Sequence, residues 1–470
     1  MKLISKTIFA AALACTFAAP AFSQTESDAG KLPTDYLTKE FHAGRRQALR
    51  NLMPANSVAV VFAYPERVFS KDVNYVYHPN PDLYYFSGYK EPDAVLLVFK
   101  DMQTDGEGRY NEMIFVRRRD PARESWTGRR LGAEGVKAQL GFTRVYTSDA
   151  FANSTIDFKK FSEVISDRLP DDASGDLKGL ISSFKSKAPT INTADFATFT
   201  NTLRGVKTPE ELVLLKKSVE ISSIAHAEAM RAVKPSMSER ELAGIMLYVH
   251  SKYNAEGEGY PPIVGSGANG CILHYEENNS LEVKNQLVLM DVAAEYHGYS
   301  ADVTRTFPAN GKFTEEQKAI YQIVYDAQEE VFKLCKDGVK AGDLGTKASE
   351  VLAAGLMKLG IIKDAKELRT YYAHGVSHQL GLDVHDKGGS RGGNLLAGMV
   401  VTVEPGIYIP AGSPCDKKWW NIGVRIEDDV LIGKTEGTVL SIDAPRKWQD
   451  VEKTIAEKSI FDAVKLPELK

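Results

Sequence analysis

The stretch LVLMDVAAEYHGYSADVTRTFP, residues 287–308, decides how the second half of the chain is read. Four apolar residues run straight into Asp291, and a second acid, Asp302, sits between Ala301 and Val303. A hairpin centred between Tyr296 and His297, with 295–298 as a four-residue loop, sets Asp291 directly opposite Asp302. Opposed side chains on one face have Cβ atoms about 5 Å apart, and like charges there repel. The apolar neighbours would also strip both acids of water, which is costly for unpaired charge. A bound cation reverses the sign of that energy.

The same arrangement recurs downstream. MVVTVE (399–404) is an apolar run ending on Glu404, and VRIED (424–428) returns with Glu427, so the two glutamates can face one another. Between the two acid pairs lies HGVSHQLGLDVHD (374–386), with His374, His378 and His385; His274 follows earlier in CILHY, a strand-like run. Four carboxylates and an imidazole suit Mn²⁺, Mg²⁺ or a similar ion better than a thiolate-type zinc site would. The set suffices for two divalent metal ions, with Mn²⁺ first among the candidates. Water bound to such ions ionises near neutral pH, and hydrolysis is its natural use.

Helix starts punctuate the same region. Thr208-Pro209-Glu210-Glu211 combines an N-cap, a first-turn proline and a reciprocating glutamate. Ser238-Glu239-Arg240-Glu241 and Thr314-Glu315-Glu316-Gln317 repeat the signal. Helix pairs are therefore expected at about 208–233 and 238–253, then at about 314–336 and 343–359. Each pair precedes a strand-rich block, at 262–309 and at 398–432. A helix-pair-plus-sheet unit used twice implies an α+β domain with pseudo-two-fold symmetry, its helices covering one sheet. Upstream, SVAVVF (57–62), AVLLVF (94–99) and MIFV (113–116) are short apolar runs separated by loops such as HPNPD (78–82), the pattern of an α/β domain with buried strands.

At 470 residues two domains are the natural expectation. The organisation read here is a signal peptide at 1–23, an α/β domain at 24–204, a catalytic domain at 205–446 and a C-terminal tail at 447–470. Lys2 and Lys6 precede the apolar run IFAAALACTFAA, and Ala21-Phe22-Ser23 supplies small residues for cleavage before Gln24. The chain is thus expected to be exported, periplasmic or secreted, without stable membrane insertion. A lipid anchor on Cys15 fits less well, because Ala12 stands where a large aliphatic residue is usual. Cys271, Cys335 and Cys415 then remain, too few for a disulfide framework. A net charge of −4 with no basic stripe argues against a nucleic-acid partner.

Taken together, LMD, ADVTRTF, HGVSH, VEPG and RIEDD resemble the catalytic core of the pita-bread metallohydrolases, the group of methionine aminopeptidase, prolidase and aminopeptidase P. The resemblance implies metal ligands at Asp291, Asp302, His378, Glu404 and Glu427. NPDLYYFSGYKEPDAVLLVF and RDPARESWTGRRLG are similar to the N-terminal domain of aminopeptidase P, which implies release of the first residue from peptides with proline second, by attack of a metal-bridging hydroxide. It also implies that His274 and His385 contact substrate, that His374 helps proton movement and that Glu404 receives the water's proton. Tyr260 is implied near the metals, Arg425 behind a ligating carboxylate, and Asp72 with Arg391 as a pair near the site. Relatives assemble as dimers or tetramers, so a homo-oligomer is expected.

Other readings stay open at this point. One acid after an apolar run is ordinarily a strand end facing solvent; five in matching contexts are harder to explain so. Prolidase shares the two-domain plan and cuts Xaa-Pro dipeptides. Creatinase-like hydrolysis needs no metal, and non-catalytic peptide binders of this fold have lost the ligands; the complete set speaks against both. GSGANG (265–270) satisfies a dinucleotide-loop pattern, but no helix pattern follows it.

Overall fold

Ser57–Phe62, the run SVAVVF, forms a strand buried along its whole length. Its alternate side chains enter two different cores: Val58, Val60 and Phe62 pack with Leu177, Ile181 and Phe184, whereas Ala59 and Val61 pack with Leu49 and Phe196. Burial on both faces is why the run is continuously apolar. In this computed structural model, which describes residues 36–188, 190–388 and 393–467, the strand sits inside a five-stranded mixed sheet. It pairs antiparallel with Val95–Asp105 and parallel with Glu163–Ser166. Gly108–Val116 and Val145–Thr147 complete the sheet. Helices Lys39–Leu52 and Thr193–Gly205 supply Leu49 and Phe196 to one face, and Gly175–Lys187 covers the other.

All three helix-start signals are realised. Thr208 and Thr314 close capping boxes with Glu211 and Gln317, opening Pro209–Ala232 and Glu315–Phe332. Ser238 accepts from the Glu241 amide at the head of Glu239–Lys252. The fourth helix is Ala341–Lys358. Beyond them, the segment read as a tail carries helix Trp448–Ile455, whose Val451 is buried. The described residues from Leu37 onward form one compact unit. No helix among the described residues is long and apolar enough to cross a membrane.

The two strand-rich blocks are kinked hairpins. In the first, Leu287–Asp291 pairs with Thr304–Pro308, the ladder breaks, and pairing resumes between Ala294–Tyr296 and Tyr299–Ser300. In the second, Val400–Val403 pairs with Asp428–Leu431, then Gly406–Ile409 with Ile422–Arg425. Each break falls at the acids. Buried His226, on the first long helix, places Nε2 3.0 Å from the Val292 carbonyl and 2.8 Å from that of Val303, so it serves both carbonyls at the first kink, where the Val292 amide reaches Val303 only at 3.4 Å. The expected single sheet is therefore segmented by hydrogen bonding into separate ladders.

The register of the first hairpin corrects the expected one. Its loop is two residues, His297 and Gly298, with φ of 52° and 89°, the left-handed pair a tight hairpin turn requires. The centre therefore moves one position along, and Asp291 faces Thr304. Asp302 lies diagonally across, two residues from the directly opposed position. In the second hairpin Val403 faces Asp428 and Gly406 faces Arg425, and the same register sets Glu404 opposite Glu427. CILHY is also not a strand: a short 3-10 turn, Asn269–Cys271, leads into a loop.

Candidate metal centre

The two hairpins meet back to back across Thr304 and Thr306. The Glu427 amide donates to the Thr304 carbonyl at 3.1 Å, and the Thr306 hydroxyl donates to the Arg425 carbonyl at 2.9 Å. This brings four acids from two distant stretches into one cleft of about 520 Å³, lined by Asp291, Asp302, Glu404, Glu427 and the four histidines 274, 374, 378 and 385. Asp302, His378 and Glu427 form the tightest group, each offering an atom within 4.8 Å of the others. Asp291 and Glu404 line the same cleft.

Each group is oriented by a neighbour. The His378 ring has Nδ1 3.0 Å from the Gln379 carbonyl, which can only accept; Nδ1 therefore carries a proton, and Nε2 is the nitrogen that could bind a cation once its own proton is displaced. That Nε2 points at carboxylates, 3.3 Å from Asp302 and 3.7 Å from Glu404. Arg425 grips Asp291 at 2.6 Å and reaches Thr304 Oγ1 at 3.1 Å. Thr304 in turn donates to Glu427 at 2.6 Å. Tyr260 Oη lies 2.5 Å from Asp291 and 2.8 Å from Asp302, which spans the diagonal the register creates.

Electrostatics mark the cluster as short of positive charge. Burial, with repulsion from Asp291 and Glu404, pushes the Asp302 carboxyl up to about 6 against the help of His378. Glu427 is raised well above the usual range by burial and by Asp302, Glu404 and Asp291. Burial alone would lower His378, yet Asp302 and Glu404 lift it to about 9. The site thus clings to protons on atoms that face one another, which is where divalent cations would sit. Oxygen-rich donors with one imidazole whose far nitrogen is anchored fit such ions.

Among the other expected residues, His274 and His385 are exposed on the cleft, and the His385 ring stands edge-on to His378 at 4.4 Å between centroids. His374 has Nδ1 2.8 Å from the Gly375 carbonyl and 3.4 Å from Glu404 Oε2. Asp72 is not brought to the cleft: it lies in the exposed turn between Val68–Ser70 and Val73–Asn74. Arg391 and residues 1–23, expected to be a signal peptide, lie outside the described residues.

Sequence reading missed three contributors. Tyr408 bridges Arg425 Nη1 at 2.9 Å and His374 Nε2 at 2.8 Å, joining two expected residues. Thr304 joins two others, and His226 supports the kink. Only Thr304 left a trace, as the residue two places after Asp302 on the same strand face.

Comparison with known proteins agrees with this geometry. Residues 213–434 match the family described as metallopeptidase family M24, and residues 42–164 match the aminopeptidase P N-terminal domain. The chain is 37% identical over 431 residues to Xaa-Pro aminopeptidase of Escherichia coli, covering 87% of this chain and 96% of that protein. The chain belongs to metallopeptidase family M24. In Haemophilus influenzae a Xaa-Pro aminopeptidase is 33% identical, covering 90% and 97%. The solved structure of E. coli aminopeptidase P with the inhibitor Pro-Leu matches with a TM-score of 0.82 at 35% identity, covering 89% of this chain and 98% of that one. The expected architecture, an aminopeptidase P-type N-terminal domain followed by a pita-bread catalytic domain, is the one found, and the chain is a metallo-aminopeptidase.

Proposed function

We propose that this chain releases the first residue of peptides whose second residue is proline, as the names of its relatives say of them. The observation that carries the reading is the convergence of Asp302, His378 and Glu427 within 4.8 Å, with Asp291 and Glu404 in the same cleft. Those five residues would hold the cations. Bound there, divalent metal supplies Lewis acidity and water ionised near neutral pH. The chain's own groups do the rest. Glu404 would take up the water's proton, and the His374 ring, whose Nδ1–H lies 2.8 Å from the Gly375 carbonyl and 3.4 Å from Glu404 Oε2, stands where it can donate to that carboxylate. His274 and His385 face the cleft where negative charge develops on the carbonyl oxygen. Proline is recognised by shape, since its imide nitrogen has no N–H to read, and Leu395, Met399 and Val401 give the cleft an apolar wall.

Mn²⁺ is the proposed native ion. The protein should be stripped of metal, reloaded with Mn²⁺ and offered Xaa-Pro-Yaa, Xaa-Pro and Xaa-Ala-Yaa. Metal-dependent release of Xaa from the first alone is expected. Preference for the dipeptide would move the chain to prolidase, a reading the relatives' names do not favour, and activity surviving chelation would remove the metal from the reaction.

Export is proposed on the charged, apolar and small-residue pattern of residues 1–23. N-terminal sequencing of the protein from a periplasmic or medium fraction should begin at Gln24. Homo-oligomerisation is supported by exposed apolar side chains on one hairpin, Phe69, Tyr75 and Val76, the last 97% exposed. Sedimentation analysis should return a dimer or tetramer mass.

A further inference from the structure

We propose that Arg204 is a positioning residue for His385, clamping the chain on both sides of that histidine from a helix outside the metal-binding half. The inference deepens the proposed function and rests on it for the role of His385. Among the described residues, the His385 ring makes no hydrogen bond, and its one ring contact is edge-on to His378. Its aim must therefore come from its backbone. That backbone is bolted down by its neighbours in sequence. Arg204 Nη2 donates to Asp383 at 2.6 Å and also to Asp386, while Nη1 donates to Asp82 at 2.8 Å. Asp386 receives a second cation, Lys207 Nζ at 3.0 Å, and Lys207 is itself held by the Arg204 carbonyl at 2.8 Å. Lys387 Nζ closes the ring on Asp82 at 2.5 Å.

Backbone contacts repeat the attachment. The Gly388 amide donates to Asn201 at 3.2 Å. Gly388 has φ of +128°, and a Cβ there would meet the Gly205 Cα at 2.2 Å, so two glycines let the chains touch. At the other end a Cβ on Gly381 would collide with the Asp386 carboxylate at 2.1 Å. Segment 381–388 is thus pinned to 201–207 at three places, with His385 between the pins.

The energetics favour a geometric role. Arg204 and Asp386 are each 1% exposed in their side chains. Taking such charges out of water costs roughly what their attraction returns, and well-packed apolar residues often serve stability as well or better. What a planar guanidinium adds is direction: Nη1 on Asp82 fixes where Nη2 can hold Asp383 and Asp386, whereas the single nitrogen of an ammonium carries no such fixed geometry.

The test uses the full metal-loaded protein with Arg204→Lys, which keeps the charge and loses the fork. Removing the charge outright could unfold the chain, so the conservative variant is the informative one. Thermal unfolding and metal stoichiometry should stay near wild type, while kcat on an Xaa-Pro-Yaa peptide falls about 10- to 100-fold, as displacements of about 1 Å do, with little change in KM. Amide hydrogen exchange in 381–388 should quicken, also in the metal-free protein. In a His385→Ala background Arg204→Lys should lower kcat no further, because the two act through one group. An equal further loss in that background would overturn the proposal, as would unchanged kcat in the single variant. Should wild type cleave no Xaa-Pro peptide, the proposed function falls separately; exchange then decides the clamp, and unchanged protection of 381–388 overturns it.

Discussion

Tyr260 has one hydroxyl proton and two carboxylates to give it to, at 2.5 and 2.8 Å. Whichever acid goes without faces a phenol oxygen and its partner acid in a site largely closed to water. Tyr260→Phe removes the donor and leaves the repulsion. Losing a hydrogen bond to a buried acceptor costs about 1–3 kcal/mol, so the metal-free variant should be less stable by that much in urea denaturation. With saturating Mn²⁺ the loss should shrink, because cations take over the neutralisation. Equal losses with chelator and with metal would mean that the hydroxyl does not serve the acid pair. Arg425→Met makes a second case at this scale. Arg425 touches Asp291, Tyr408 and Thr304, and Thr304 holds Glu427. Groups behind metal ligands are worth about 10- to 100-fold in metal affinity. Titration of the stripped variant should show a loss of that order, and unaltered affinity would reduce Arg425 to a strand-packing residue.

The hairpin turn at His297-Gly298 sets which acids meet. Gly298 sits at φ +89°, and a Cβ there would lie 3.2 Å from Tyr84 Cε1. A left-handed backbone costs a residue with a Cβ about 1–2 kcal/mol. Gly298→Ala should therefore lower unfolding stability by roughly that amount, with the metal stoichiometry retained because the long ladder at 287–291 also fixes the register; no measurable change would show that the turn relaxes freely. This turn is also where sequence reading slipped. Strand positions were legible because apolar runs such as 57–62 leave no other choice, and helix starts because the capping pattern at Thr208 and Thr314 is local chemistry. Loop length was not, since His-Gly and a four-residue loop both suit the same flanking strands, and one position of slippage moved Asp302 from opposite Asp291 to diagonal. The five expected ligands still share one cleft because they were read from each residue's surroundings and not from register. Tyr408, His226 and the Arg204 clamp were invisible for another reason: their partners lie far off in sequence, and nothing local distinguishes them. Asp72 is a case of the opposite kind, because whether it reaches a site depends on where a distant, exposed hairpin lies.

Across the whole molecule the metal centre should make stability depend on pH in opposite ways with and without cations. Asp302 stands at about 6 in the folded chain against an ordinary 3.8, and His378 at about 9 against 6.5. A group raised on folding binds protons more tightly in the native state than in the unfolded one, so its stabilising contribution is complete at low pH and is lost as pH climbs. For Asp302 that contribution is present below about pH 4 and gone above 6; for His378 it is present below 6.5 and gone above 9. The metal-free protein should therefore weaken as pH rises from 6.5 to 9; below 6.5 the buried His42, His226 and His250, lowered by burial to about 4, 3 and 4, pull the other way, since they must be neutral in the folded chain. The acids lowered on folding do not mask this trend: Glu112, held down by Arg46 and Arg50 against its burial, and Asp82, held down by Arg204 and Lys387 against its own, lose their contributions as pH falls below the ordinary carboxylate range. Metal binding needs ionised carboxylates and a neutral imidazole, so affinity rises with pH. At a concentration 100 times Kd the bound ion adds about 2.7 kcal/mol. Melting curves at fixed Mn²⁺ should thus separate from those in chelator, narrowly near pH 5 and widely near pH 8. Parallel curves, or a metal-free protein that grows more stable from pH 7 to 9, would mean that the acids of the two hairpins are reconciled by something other than a cation.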